Sequence, residues 1–147
     1  MFKHCFKFKQ DLSRWNVSNG TNFNSMFAYS EKFNSDLSEW DVSEGIYFGS
    51  MFYACETFNS DLSKWDVSKG IDFSSMFGNC PRFNSDLSKW DVSNGENFSG
   101  MFLNTESFNS DLSKWNVKNA KEWDDFAEGS LLKTYKGRIP EKFRSVY

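Results

Sequence analysis

Asp-Leu-Ser-x-Trp begins at Asp11, Asp36, Asp61, Asp86 and Asp111, always 25 residues on, with no insertion or deletion between copies. No other feature constrains the fold as strongly. A fixed period of this length is the signature of one small structural unit stacked on its own copies. Such a unit cannot bury an apolar face alone and does so only against its neighbours.

The apolar residues keep the same period. Met1, Met26, Met51, Met76 and Met101 form one column, and Phe2, Phe27, Phe52, Phe77 and Phe102 follow them. Phe8, Phe33, Phe58, Phe83 and Phe108 form a third column; Phe23, Phe48, Phe73 and Phe98 form a fourth, which Trp123 closes. The chain holds 17 Phe and 6 Trp among 147 residues, so aromatic rings take the place of the usual Leu and Val. That composition excludes a disordered chain.

Within one copy the apolar spacing changes. Leu62-x-x-Trp65-x-Val67 fits the leucine-rich pattern, and the alternation of Trp65 and Val67 predicts a short strand with one buried face. Phe73, Met76 and Phe77 stand at i, i+3 and i+4, which predicts a short helix. Ser68 is its expected N-cap, as are Ser18, Ser43 and Ser93 in their copies. Pro81 closes it. Gly20, Gly45, Gly70 and Gly95 fall in the first turn of this helix, a place where glycine is unfavourable. The expected fold class is therefore an α/β repeat. It is a leucine-rich-repeat-like solenoid with one short parallel strand and one short helix per 25-residue turn. The whole chain, 1–147, reads as a single domain: a partial first turn over 1–10, repeats over 11–127 and a C-terminal cap over 128–147.

Polar columns accompany the apolar ones. Asn34, Asn59, Asn84 and Asn109 carry amides that can satisfy backbone groups between turns. Asp11, Asp36, Asp61, Asp86 and Asp111 would stand about one strand spacing apart, ~5 Å, and would repel unless each accepts N–H bonds or a cation binds. A turn-capping role and a calcium ladder are both open; no EF-hand or Gly-Gly-x-Gly-x-Asp spacing is present. Cys5, Cys55 and Cys80 share a column with Ser30, Thr105 and Ser130, so that column asks for a small, partly buried side chain rather than a disulfide.

The net charge of −3 gives no basis for nucleic-acid binding. No apolar run reaches the length of a membrane span, and no signal peptide is visible at Met1-Phe2-Lys3-His4. No catalytic, cofactor or metal motif emerges: there is one histidine, no Gly-x-Ser-x-Gly, no phosphate-binding loop and no Cys-x-x-Cys. Asn16-Val-Ser, Asn19-Gly-Thr and Asn97-Phe-Ser match the glycosylation acceptor pattern. The chain reads as a non-enzyme without cofactors.

The candidate interaction face lies between the buried residues of the expected strand. One column is Arg14, Glu39, Lys64, Lys89 and Lys114; its neighbour is Asn16, Asp41, Asp66, Asp91 and Asn116. Two apart along a strand, they share a face. A solvated sheet laced with ion pairs and a flat protein-binding surface are the two readings. Tyr29, Tyr47 and Tyr53 are candidate glycan contacts. Lys3, Lys7 and Lys9 charge the first turn. Trp123 and Leu131 are expected to anchor the tail over the last. The expectation is a mostly monomeric chain with weak end-to-end association.

Met-Phe followed by Phe-Asn-x-Asp-Leu-Ser-x-Trp-Asp-Val-Ser resembles the 25-residue repeat of BspA-like leucine-rich surface proteins, abundant in mycoplasma lipoproteins. The resemblance covers residues 1–127. The chain reads Ser18-Asn19-Gly20-Thr21-Asn22-Phe23 where the family has Ser-Asn-Val-Thr-x-Met. The resemblance implies a cell-surface or extracellular protein with a non-catalytic role in adhesion or host interaction. By the same resemblance the fold would be a right-handed α/β solenoid. The partner would be a protein ligand, with a carbohydrate-binding module or a structural self-assembling solenoid as the alternatives and no insertion of this chain into a membrane.

Overall fold

The computed structural model describes all residues, 1–147. The chain winds into stacked turns of 25 residues, but the turns are neither strand nor helix. Only 9 % of residues are helical, all in the C-terminal tail, and no sheet forms. The α/β solenoid expected from the repeat is therefore corrected: no turn carries the short helix, and none carries the short parallel strand.

The segment predicted as a helix is the one that joins the turns. Phe73, Ser75, Phe77 and Asn79 donate their backbone N–H groups to the carbonyls of Asn97, Ser99, Met101 and Leu103 in the next turn, at 2.9, 2.8, 3.0 and 2.7 Å. A right-handed helix would spend those N–H groups internally. It is excluded further by positive φ at Ser75 and Asn79, 51° and 56°, repeated at Ser25 and Tyr29, Ser50 and Ala54, and Gly100 and Asn104. Left-handed residues interrupt a right-handed helix. Between rungs the chain closes four-residue turns, Met76 N–H to the Phe73 carbonyl and Cys80 N–H to the Phe77 carbonyl, both 3.2 Å. A positive φ at the third position is what a type II turn requires. The spacing of Phe73, Met76 and Phe77 thus reports a chain of tight turns whose apolar side chains all go inward. One residue per turn makes an isolated parallel bridge, along Asn22, Tyr47, Asp72, Asn97 and Glu122.

Ser68 caps no helix. Its own N–H is capped, by Oδ1 of Asp66 at 3.0 Å. The glycines have a different reason. A β-carbon at Gly70 would run into Cζ of Phe73 and stand 2.9 Å from the Val67 carbonyl, and Gly20, Gly45 and Gly95 face their own phenylalanines in the same way. Where Ala120 takes the glycine position, Trp123 takes the phenylalanine position. Its ring is half-buried and stacks on Phe143 of the tail, 5.2 Å between centroids.

The core is a set of ring columns. Phe27, Phe52, Phe77 and Phe102 stack along the molecule at 5.7, 5.7 and 5.8 Å between centroids. Phe33, Phe58, Phe83 and Phe108 follow at 6.0, 5.8 and 5.9 Å. Within a turn the two columns also stack, Phe52 on Phe58 and Phe77 on Phe83 at 4.0 Å. Flat rings tile at the rise of the turns, which is why Phe replaces branched aliphatics. Each pair adds about 0.5–1.5 kcal/mol beyond area burial.

The tail, after Gly129, packs on the last turn with a one-turn helix, Leu131–Thr134, and two 3₁₀ segments, Lys136–Arg138 and Glu141–Val146. Leu132, Ile139 and Phe143 are fully buried, whereas Leu131 is 39 % exposed, so the anchor is Leu132 rather than Leu131. Lys142 Nζ donates to the Ala120 carbonyl at 2.7 Å, and the Tyr147 hydroxyl accepts the Ala127 N–H.

Candidate interaction surface

The stretch predicted as a strand, Leu62 to Val67, keeps its alternation: Leu62, Trp65 and Val67 are buried, and Lys64 and Asp66 are exposed. Its backbone does not pair with a neighbouring backbone. Two Asx turns fold it instead, with Ser63 N–H bonded to Asp61 Oδ1 at 2.9 Å and Ser68 N–H to Asp66 Oδ1 at 3.0 Å. Side chains join this stretch to its neighbours. Trp65 Nε1 donates to the Leu37 carbonyl of the preceding turn at 2.9 Å, and Leu62 N–H donates to the Ser85 hydroxyl of the following turn at 2.9 Å. Trp40, Trp90 and Trp115 reach Leu12, Leu62 and Leu87 at the same 2.9 Å. In the last turn no serine is available, and Leu112 N–H bonds the Arg138 carbonyl of the tail instead, at 2.8 Å.

Every residue of the candidate face is exposed: Arg14, Glu39, Lys64, Lys89 and Lys114 in one column, Asn16, Asp41, Asp66, Asp91 and Asn116 in the other. The first column is free apart from one loose ion pair, Lys64 Nζ to Glu39 Oε1 at 3.7 Å. The second is half committed. Each of its five side chains gives Oδ1 to the N–H two residues on and keeps its other oxygen or its amide toward solvent. The hydroxyls of Ser43 and Ser93, followed by their N–H groups, hold the Asp41 and Asp91 carboxyls below the usual aspartate range.

Asp11, Asp36, Asp61, Asp86 and Asp111 are turn caps. Each Oδ1 accepts an N–H from the serine two residues on, at 2.9 to 3.0 Å. Those backbone bonds, followed by the serine hydroxyls, lower all five carboxyls. At Asp36 the like charges of Asp11 and Asp61 oppose the effect without reversing it. The asparagine ladder runs as a chain: Asn59 N–H to Asn34 Oδ1, Asn84 N–H to Asn59 Oδ1 and Asn109 N–H to Asn84 Oδ1, at 2.8, 3.0 and 3.2 Å. It ends at Asn109 Oδ1, buried without a donor because the repeat has lost its phase by residue 134.

Sequence reasoning missed one column and the donor role of another. Ser35, Ser60, Ser85 and Ser110 follow the asparagines, and their hydroxyls accept the leucine N–H groups of the preceding turn at 2.8 to 3.0 Å. Their identity at four successive copies was the available signal. The cysteine column does more than fill space. Ser30, Cys55, Cys80 and Thr105 donate to the carbonyls of Phe2, Phe27, Phe52 and Phe77, so the column asks for a small donor. Burial pushes the Cys55 thiol up to about 12 and raises that of Cys80 as well. Both stay protonated donors rather than reactive thiolates.

The tyrosines separate. Tyr29 lies between two rings: His4 stacks on it at 4.6 Å and Tyr53 meets it edge-on at 5.3 Å, which leaves little open face for a sugar ring. Tyr47 stands alone, 42 % exposed. No helix is long and apolar enough to cross a membrane.

Comparison with curated proteins and with solved structures gives no match. The family described as Mycoplasma protein of unknown function, DUF285, matches over residues 1–70 and 46–135, two overlapping stretches of the repeat. The chain belongs to that family.

Proposed function

We infer that this protein is a non-enzymatic binding scaffold whose partner is a protein, in the manner of the BspA-like surface repeats it resembles, displayed at the cell surface in adhesion or host interaction. One observation carries the reading. Five turns present the same two positions side by side, all ten residues polar and exposed, on a frame whose backbone is held by Asx caps and indole staples. A rigid display loses little entropy on binding. Lys89 and Lys114 form no ion pair in the fold, so their charge is available to an acidic partner. Charge at such a surface steers association and sets specificity more than raw affinity.

The test is binding of the chain to a panel of purified extracellular-matrix and serum proteins by biolayer interferometry. At least one is expected to bind with an affinity that weakens as salt rises. A Lys64→Glu, Lys89→Glu, Lys114→Glu triple variant is expected to lose that binding while keeping its unfolding transition. Binding that the triple variant retains unchanged, or silence across the panel, would overturn the reading.

A further inference from the structure

Beside the candidate face runs a groove, the largest concavity of the molecule, and no hydrophobic residue lines it. A second concavity continues it across the preceding turn and shares Asn59, Asp61 and Lys64 with it. Together they make one polar channel along the stack, over three turns. Polar accounting shows what the channel offers. Asn59 spends Oδ1 on the Asn84 N–H, and its Nδ2 makes no bond within the protein. Asn34 and Asn84 are arranged alike. Asp61 spends Oδ1 on the Ser63 N–H and the Ser85 hydroxyl, and the Ser63 hydroxyl also acts on the carboxylate; its Oδ2 takes no backbone N–H, and Asp36 and Asp86 are arranged alike. Lys64 and Lys89 line the same channel.

Each turn therefore presents one amide donor, one carboxylate acceptor and, in two of the three, one ammonium. They recur once per turn, beside the Phe33, Phe58 and Phe83 rings, whose centroids stand 6.0 and 5.8 Å apart. The amides and carboxylates cannot swing freely, because the Oδ1 of each is bonded to backbone. The three carboxylates outnumber the two ammoniums, one of which also faces Glu39 at 3.7 Å, so a polyanion is not favoured, and the ammoniums in two of the three turns oppose a polycation. Paired donors and acceptors at fixed separation match adjacent hydroxyl groups, each of which both donates and accepts. The rise is close to the length of one sugar ring with its linkage.

We propose that this channel is a binding site for a neutral linear oligosaccharide lying along the stack, about one sugar residue to each turn. Each turn contributes weakly, and the affinity comes from engaging several turns at once. The site is separate from the tyrosines and does not rest on the protein-binding reading.

The side-chain amides of Asn59 and Asn84 give their own nuclear magnetic resonance signals. Titration of the full chain with cellohexaose, maltohexaose and chitohexaose is expected to shift those signals for at least one of the three. Affinity for that sugar is expected to rise from disaccharide to tetrasaccharide and then level off. Two near-isosteric variants test the assignment. Asp61→Asn keeps the capping oxygen, as Asn16 and Asn116 do in their own turns, but turns the free acceptor into a donor. Asn59→Asp keeps the ladder oxygen but turns the free donor into an acceptor. Each is expected to weaken binding about tenfold, the loss of one good hydrogen bond, with the backbone spectrum otherwise preserved. No shift at Asn59 and Asn84 with any of the three hexasaccharides would overturn the proposal. So would binding that both variants leave unchanged. A sugar that binds while the protein panel stays silent would keep this site and remove the protein-binding reading.

Discussion

Neighbouring turns are held together in two ways on two sides of the molecule. From Phe73 to Asn79 the link is backbone to backbone, four N–H groups each reaching a carbonyl one turn on. From Leu62 to Trp65 it is side chain to backbone, an indole reaching one way and a leucine N–H taking a serine hydroxyl the other way. The two sides differ in what they ask of the sequence. A backbone rung accepts any residue that tolerates the local φ, and the copies vary there: His4, Tyr29, Ala54, Asn79 and Asn104 all occupy one left-handed position. A side-chain staple accepts only the residue that makes it. Asp, Leu and Trp recur at all five copies, and the staple serine at Ser35, Ser60, Ser85 and Ser110, each of which meets a leucine N–H of the turn before it. The most regular part of the repeat is thus the part without regular backbone pairing.

The largest expected effect is on the stapled side. Trp65→Ala removes a buried indole and leaves the Leu37 carbonyl without its donor, and should cost about 3–5 kcal/mol. Lys64→Ala, beside it but exposed, should cost under about 0.5 kcal/mol. Urea denaturation of both variants checks this, and equal midpoints would show that the staple is idle. Ser60→Ala should cost about 1–3 kcal/mol, because the buried Leu37 N–H loses its only acceptor. A loss no larger than that of Lys64→Ala would mean that water replaces the hydroxyl.

Acid should act on the stapled side too. Seven aspartates, Asp11, Asp36, Asp41, Asp61, Asp86, Asp91 and Asp111, titrate below their ordinary range in the folded chain, because backbone and hydroxyl donors hold the charged form. The unfolded chain then binds protons first, so this stabilisation is complete above the ordinary aspartate value. It is lost as pH falls through the lowered folded value. Thermal unfolding should keep its midpoint from pH 7 to the upper edge of the carboxylate range and drop below it. A midpoint that stays level into strong acid would remove the caps from the account.

The smallest effect should have the opposite sign and belong to the backbone side. Ala54 sits at φ 58°, a conformation that glycine adopts without steric cost. Ala54→Gly should leave stability unchanged or raise it by up to about 1 kcal/mol. A loss of the size found for Ser60→Ala would show that the rungs are as selective as the staples.

The sequence by itself determined the period, the number of turns and which residues go inside. An unbroken 25-residue spacing forces identical side chains into columns, and apolar columns can be buried only against one another. The capping aspartates and the asparagine ladder were legible for the same reason, since a polar group recurring at one place in every turn must have one recurring partner. The exposure of Arg14, Glu39, Lys64, Lys89 and Lys114 followed from alternation with buried neighbours, although the strand thought to produce it is absent. The tertiary structure alone decided which backbone segment joins the turns. Spacing at i, i+3 and i+4 suits a helix and equally suits a run of tight turns, because both bring the same side chains to one face. The two are separated by the sign of φ at Ser75 and Asn79, and nothing local to Ser or Asn sets that sign. It is set when the next turn offers carbonyls at the right rise, a partner 24 residues away that no local pattern contains.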